Sequence, residues 1–229
     1  MSVFVGSLVQ GAVGFGVGVA AAPVITLLDP ELMPASIMVV NAILPLFTLA
    51  AEWRRVDWRD LGWAVLGRLP GSVVGAYIVL QLSARSLALF VGVMVLVAVA
   101  LTGRAVRVPR NGATIGGAGF VSGITGTATG IGGPPIALVF QGVEGPRVRA
   151  TLAVFFFLSA VQSLLLLHGV GELTDRQLRF GALMIPFLVA GFALSRPLRR
   201  RLDAGLTRTA ILVVAAGSAF VLIAQSLVR

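Results

Sequence analysis

The chain has 229 residues, 57% hydrophobic and only 12% charged, about half the charged fraction of a soluble domain, so a water-soluble globule is excluded and a polytopic membrane protein is expected. Its net charge of +9 comes from 18 arginines without a single lysine. They sit in short connections, which fits a positive-inside distribution and not a nucleic-acid surface, and the lack of cysteine excludes disulfide and thiolate chemistry.

Eight apolar segments follow one another, at about 3–28, 35–51, 61–81, 87–102, 114–141, 150–169, 178–195 and 207–227. Most approach the roughly twenty apolar residues that cross a bilayer as a helix. The first has no basic region ahead of it and reads as a structural segment, not a signal peptide. It contains VGFGVGVAAAP at 13–23. The second carries Asn41 and Thr48, and the third carries Arg68. After the basic connection at 103–113, the fifth contains TGTATGIGGPP at 125–135, and the sixth holds Phe155–Phe157, Ser159 and Gln162. The three phenylalanines read as facing lipid or a partner protomer, lipid being the preferred reading. His168, the sole histidine, closes the sixth segment and reads as an interfacial structural residue.

The first and fifth segments repeat each other. At a constant offset of 112, Gly11, Gly14, Gly18, Pro23 and Pro34 match Gly123, Gly126, Gly130, Pro135 and Pro146. At an offset of 116, Pro70 and Gly75 match Pro186 and Gly191. The chain divides into a first repeat at 1–102, a linker at 103–113 on the cytoplasmic side and a second repeat at 114–229. Internal duplication of this size is typical of secondary transporters.

The arginines distinguish two topologies. If all eight segments cross, eight arginines of the connections and termini fall on one side and nine on the other. If segments one and five enter and return on one side, Arg54, 55, 59, 104, 107, 110, 147, 149, 196, 199, 200, 201 and 208 share a face, against Arg85, 176, 179 and 229. Thirteen against four is the bias that membrane insertion produces. The expected fold is an all-α polytopic membrane protein of two inverted repeats, each a Gly/Pro-rich re-entrant, broken helical segment plus three transmembrane helices. Both termini lie outside. Half-helices of about 10–13 residues reach the midplane and return.

Irregular backbone at membrane depth is tolerated only in a protein-lined or wet setting. A turn within Gly126–Pro135 frees backbone N–H groups, and Pro134 and Pro135 suit the first turn of the returning helix. Helix N-termini attract anions, and glycines let an anion approach the amides. The candidate substrate-binding residues are Gly16, Gly18, Ala20 and Pro23 of the first tip, and Thr125, Thr127, Thr129, Gly130, Gly132, Gly133 and Pro134 of the second. Asn41, Arg68 and Gln162 join them from the spans. Alternatives stand beside several of these. Gly11, Gly14, Gly123 and Gly126 also suit close helix packing. Arg68 either faces a site or snorkels to the headgroups. Asn41, Thr48, Ser159, Gln162 and Gln10 either line a path or bond between helices. No carboxylate relay, metal-ligand cluster or cofactor motif is legible, so an enzyme is not expected, and no cofactor is. The residues by themselves lead to a carrier or channel for a small anion.

The paired motifs Gly14–Pro23 and Gly126–Pro135 resemble the duplicated motif of the sulfite exporter TauE/SafE family. The spacing to Pro34 and Pro146, the WRRVDWR loop at 53–59 and the Pro70/Gly75 span extend the resemblance over nearly the whole chain. The first copy departs from it, with Ala20 and Ala21 where the second has Gly132 and Gly133, which gives the second tip more weight in binding. The resemblance implies export of sulfite, sulfoacetate or a related organosulfonate across a bacterial plasma membrane by alternating access. A proton is able to travel on sulfite itself. A passive channel, an importer of sulfur anions and a non-transporting membrane scaffold are the competing expectations.

Overall fold

The computed structural model describes residues 1–103, 108–140 and 143–198, with positions 220, 223 and 224. The eighth expected segment therefore lies almost wholly outside the described residues. The regular structure described is helical: α1 Ser2–Val13, α2 Val17–Leu28, α3 Ala35–Glu52, α4 Trp58–Gln81, α5 Ala84–Gly103, α6 Gly112–Thr129, α7 Gly133–Val139, α8 Gly145–Gly169, α9 Asp175–Leu183 and α10 Ile185–Leu198. Four stretches are long and apolar enough to cross a membrane: Ala35–Arg55, Trp58–Gln81, Gly145–Gly169 and Asp175–Ser195. The last is interrupted at Met184, just before Pro186, whose ring cannot continue a regular helical hydrogen-bond ladder.

Polar caps start several of the described helices. Asp57 accepts from the Asp60 amide at the head of α4, and Asn111–Thr114 and Thr174–Gln177 form capping boxes at α6 and α9. These side chains satisfy amides that a helix leaves without intrahelical partners.

Ion pairs define two opposite faces. On the first, Asp57 receives Arg110 at 2.7 Å and Arg147 at 2.6 Å. Arg110 also meets Asp60 at 2.5 Å, and Arg149 meets Glu52 at 2.7 Å. Burial raises the Asp57 carboxyl, but the Asp60 amide, the Arg147 hydrogen bond and the charges of Arg147 and Arg110 outweigh it and hold the group below its usual range. On the second face, Arg176 binds Asp29 at 2.5 Å and Glu31 at 3.2 Å. The 18 residues of α3 separate Glu31 from Glu52, about 27 Å of helix. Arg110 precedes α6 and Arg147 follows α7, yet both hold Asp57. The chain thus enters and leaves the α6–α7 pair on the same face.

The closest helix contact is α4 against α6, running in the same direction. Gly67 lies on the Gly116 backbone, Gly71 on Phe120 and Gly119 on Ala64. A Cβ on any of these would run into the opposing main chain. Small residues at this spacing let membrane helices approach backbone to backbone. A related contact joins α1 and α10, where Gly11 meets Ser195 and Gly191 meets the Phe4 carbonyl. The first arm of each broken pair therefore packs on a helix from the other half of the sequence.

Two expectations are corrected here. The second broken pair is unequal, 18 residues in α6 and seven in α7, because the break comes only at Gly130 and Gly132. Phe155 and Phe156 do not face lipid: they are 1% and 8% exposed, since α8 packs centrally between α3 and α4. A helix apolar on all sides is the kind that becomes surrounded.

Candidate functional site

Two glycine-bearing breaks meet inside the bundle. In the first, Gly14 and Gly16 adopt φ of 102° and 136°, a region costly for residues with a Cβ. The Gly14 amide closes α1 on the Gln10 carbonyl, and the Gln10 side chain accepts from the Val17 amide at 3.1 Å to start α2. In the second, Gly130 has φ 74° and bonds back to the Gly126 carbonyl. Ser122 Oγ donates to the Gly132 carbonyl at 2.6 Å. Gln10 and Ser122 are themselves 112 residues apart, so the same repeat position braces each tip.

The breaks do not coincide in the repeat. Gly14–Gly16 correspond to Gly126–Ala128, inside α6, and Gly130–Gly132 correspond to Gly18–Ala20, inside α2. The tips differ by about one helical turn. Alanine is the best helix former and glycine costs about 1 kcal/mol more per residue. Ala20 therefore lets α2 run on where Gly132 lies in the break of the second copy, and the first break falls at Gly14–Gly16. This corrects the expected tip around Gly16–Pro23: Gly18, Ala20 and Pro23 are helical and buried.

The tips touch. A Cβ on Gly18 would lie 2.5 Å from the Gly130 carbonyl, and one on Gly133 would lie 3.2 Å from the Phe15 ring. Asn41 of α3 donates its amide to the same Gly130 carbonyl at 3.2 Å. Around this junction lie two small cavities, of about 30 and 20 Å³. Asn41, Gly130, Gly132 and Phe156 line both. Gln10, Phe15, Gly16, Gly18 and Gly133 line the first, while Arg68, Gly126, Ser159 and Ser163 line the second.

Arg68 dominates the electrostatics. It lies near the middle of α4 and is 3% exposed, so it does not snorkel. No acidic residue pairs with it among the described residues. Its Nη1 donates to the Ser122 carbonyl at 2.8 Å, and its Nη2 donates to Ser163 Oγ at 3.0 Å and the Ser159 carbonyl at 3.3 Å. The guanidinium carbon stands 5.6 Å from the Phe155 ring centre. Its Nε has no hydrogen-bond partner, nor has Ser159 Oγ. Burying an ion without a counter-ion costs several kcal/mol; neutral oxygens and a ring offset only part of that. The arrangement is complementary to an anion.

Of the sequence-derived candidates, Gly16, Gly18, Asn41, Arg68, Gly130, Gly132 and Gly133 come together at these cavities. The three threonines do not line them. Thr125 and Thr129 turn their hydroxyls back to the Val121 and Thr125 carbonyls, and Thr127 bonds to Ser163. Back-bonding of this kind is the usual outlet for a hydroxyl within a helix. Ala20, Pro23 and Pro134 support the tips from within α2 and α7 without lining the space. Gln162 lies in a separate open groove with Leu69, Pro70 and Val73. With seven residues, α7 contributes little helix dipole. Sequence reasoning missed Ser122 and Ser163, which hold the Arg68 guanidinium, and the aromatic walls Phe15 and Phe156. Ser122 was signalled by its repeat equivalence to Gln10, and Ser163 by its position one turn beyond Ser159.

Comparison with known proteins bears on this geometry. A family model described as "Sulfite exporter TauE/SafE" matches residues 1–222. A protein of Cupriavidus necator named "Probable sulfite/organosulfonate exporter TauE" is 27% identical over 207 residues, covering 83% of this chain and 79% of that protein. No solved structure matches the chain.

Proposed function

Because the chain belongs to the sulfite exporter TauE/SafE family, we propose that it is a secondary transporter of small sulfur-containing anions, with its substrate bound where the two tips meet. The relative named as a sulfite/organosulfonate exporter favours sulfite, sulfoacetate or a related organosulfonate as cargo and export as the direction. The single observation that carries the reading is Arg68: a buried guanidinium with no acidic partner among the described residues, on the wall of a cavity formed at both breaks. A scaffold has no evident use for that arrangement.

The mechanism is alternating access between two inverted repeats, 1–102 and 114–229, joined by the basic linker 103–113, in the plasma membrane of a bacterium. Each repeat supplies a re-entrant hairpin and three spans. Support comes from the opposite faces on which the pairs open, since Asp57 gathers Arg110 and Arg147 while Asp29 and Glu31 take Arg176. The arginine bias puts the Asp57 face in the cytoplasm and both termini outside. Ion pairs lie on both faces, and the cavities between them, of about 30 and 20 Å³, are too small for a sulfonate. Admitting a sulfonate requires one hairpin to move, and the carrier cycle alternates which one.

Counterflow in proteoliposomes tests the reading. Labelled sulfite is expected to accumulate transiently against unlabelled sulfite or organosulfonate inside, and Arg68→Gln is expected to abolish the accumulation. Flux without trans-stimulation identifies a channel. Absence of flux for every sulfur anion removes the transport reading.

A further inference from the structure

We infer that the site selects by charge: it takes an oxoanion with one negative charge, hydrogensulfite or a monosulfonate, and turns away the doubly charged forms, sulfoacetate with its ionised carboxylate included, which narrows the cargo proposed above. This rests on the transport reading above and adds the charge state of the cargo.

Among the described residues Arg68 is the one titratable side chain on the walls of the two cavities, and arginine stays protonated at neutral pH. Two buried donors on that wall are without a partner, Arg68 Nε–H and the Ser159 hydroxyl. Both are donors of the kind that the oxygens of a sulfur oxoanion accept from. Among the described residues, the surrounding elements bring no second charge to this depth. Helices α1, α2, α6 and α7 contain no ionisable side chain. Helix α3 ends in Glu52, which Arg149 of α8 neutralises at 2.7 Å. The other ionisable groups of α8 are Arg147, held by Asp57, and His168, exposed at the far end. Those of α4 itself are Arg59 and Asp60 in its first turn, and Tyr77, which is exposed.

One guanidinium therefore faces the cargo. With a monoanion the buried pair is neutral. With a dianion one charge is left uncompensated in a low-dielectric layer, the situation membrane interiors penalise most. The Phe156 ring on the same wall suits the small apolar substituent of a sulfonate.

The test uses the purified full chain in liposomes and two probes. Sulfite loses its second proton near neutral pH, and above that ionisation the hydrogensulfite fraction falls about tenfold per pH unit. Methanesulfonate keeps a single charge throughout. At fixed total sulfite, the initial rate is expected to fall in step with hydrogensulfite, while the methanesulfonate rate stays level. Excess sulfate is expected to compete with neither. A sulfite rate that is flat or rises with pH overturns charge selection and leaves transport standing. So does sulfate that competes as well as methanesulfonate. A methanesulfonate rate that falls in parallel with sulfite assigns the pH dependence to the protein and likewise overturns the inference. Flux of neither probe removes the transport reading and this one with it. As a gain-of-function arm, Asn41→Arg supplies a second cation and is expected to admit sulfate; the wild-type pH profile decides the matter if that variant does not fold.

Discussion

Gly130→Ala tests whether the second tip is as tightly determined as its geometry implies. Two costs arise. The φ of 74° puts an alanine in the left-handed region, at about 1–2 kcal/mol. The new methyl also lands on Cγ2 of Ile37, which is fully buried, and overpacking of that kind adds about 1–3 kcal/mol. A total of roughly 2–5 kcal/mol corresponds to a fall in thermal midpoint of roughly 4–20 °C for a chain of this size. The two costs separate in a double-mutant cycle. Ile37→Ala alone is expected to cost about 2–5 kcal/mol, the usual range for emptying a buried site. In the double variant the added Cβ comes no closer than 3.4 Å to the remaining Cβ of residue 37. The steric cost disappears, and the pair is expected to be less destabilised than the sum of the singles by about 1–3 kcal/mol. Thermal unfolding in detergent, followed by fluorescence of the three tryptophans, reads all four corners. A Gly130→Ala midpoint equal to wild type, or an additive double variant, would refute the reasoning.

Three further outcomes are expected. Gly71→Ala drives a methyl into the Phe120 main chain and is expected to cost about 1–3 kcal/mol, while Gly62→Ala, with nothing within 4 Å, is neutral or stabilising by up to about 1 kcal/mol; parallel melts compare them. Asp57 is held below its usual pKa, so the unfolded chain takes up the proton first as pH falls. Its stabilisation is complete above the ordinary carboxylate value of about 3.9 and is lost as pH drops through the lower folded value. Asp57→Asn keeps the helix cap, since asparagine caps as well as aspartate, and is expected to cost up to about 1 kcal/mol at neutral pH from the lost ion pairs and to flatten that acid limb in denaturant titrations at stepped pH. Ser163→Ala strips Arg68 Nη2 of a hydroxyl partner, at about 1–3 kcal/mol. Ser159→Ala removes a hydroxyl the fold does not use and is expected to leave the melt unchanged while raising the KM for sulfite in liposomes.

Much of this architecture is legible in the sequence because membrane spans are long and their punctuation is sparse. The segments at 35–51, 61–81 and 150–169 lie within α3, α4 and α8. The 112-residue offset finds both breaks to within a turn. The remaining turn is not legible, because matching glycines do not imply matching conformations. Whether a helix continues through Gly18 or stops at Gly130 depends on the residue two positions on, Ala20 against Gly132. The fate of the threonines was hidden for a different reason. A hydroxyl four residues beyond a carbonyl is satisfied within its own helix, and composition does not reveal whether it does this or faces a cavity. Arg68 stood out as a charge in an apolar run, but its partners did not, because Ser122, Ser159 and Ser163 lie 54 to 95 residues away.

The crossed packing of the broken pairs has a consequence for biogenesis. The α1 arm rests on α10, which begins at Ile185, roughly 170 residues later in synthesis. At about 5–20 residues per second, the first arm waits on the order of ten seconds to half a minute for its seat. Until then the outer side of α1 is uncovered, and before Gly130–Phe156 are made the Gly14–Gly16 turn itself lacks the protein shelter that amides need at membrane depth. The nascent first hairpin therefore has to linger near the aqueous surface or inside the insertion machinery, and a chain truncated before Ile185 would be handed to quality control with that arm undocked.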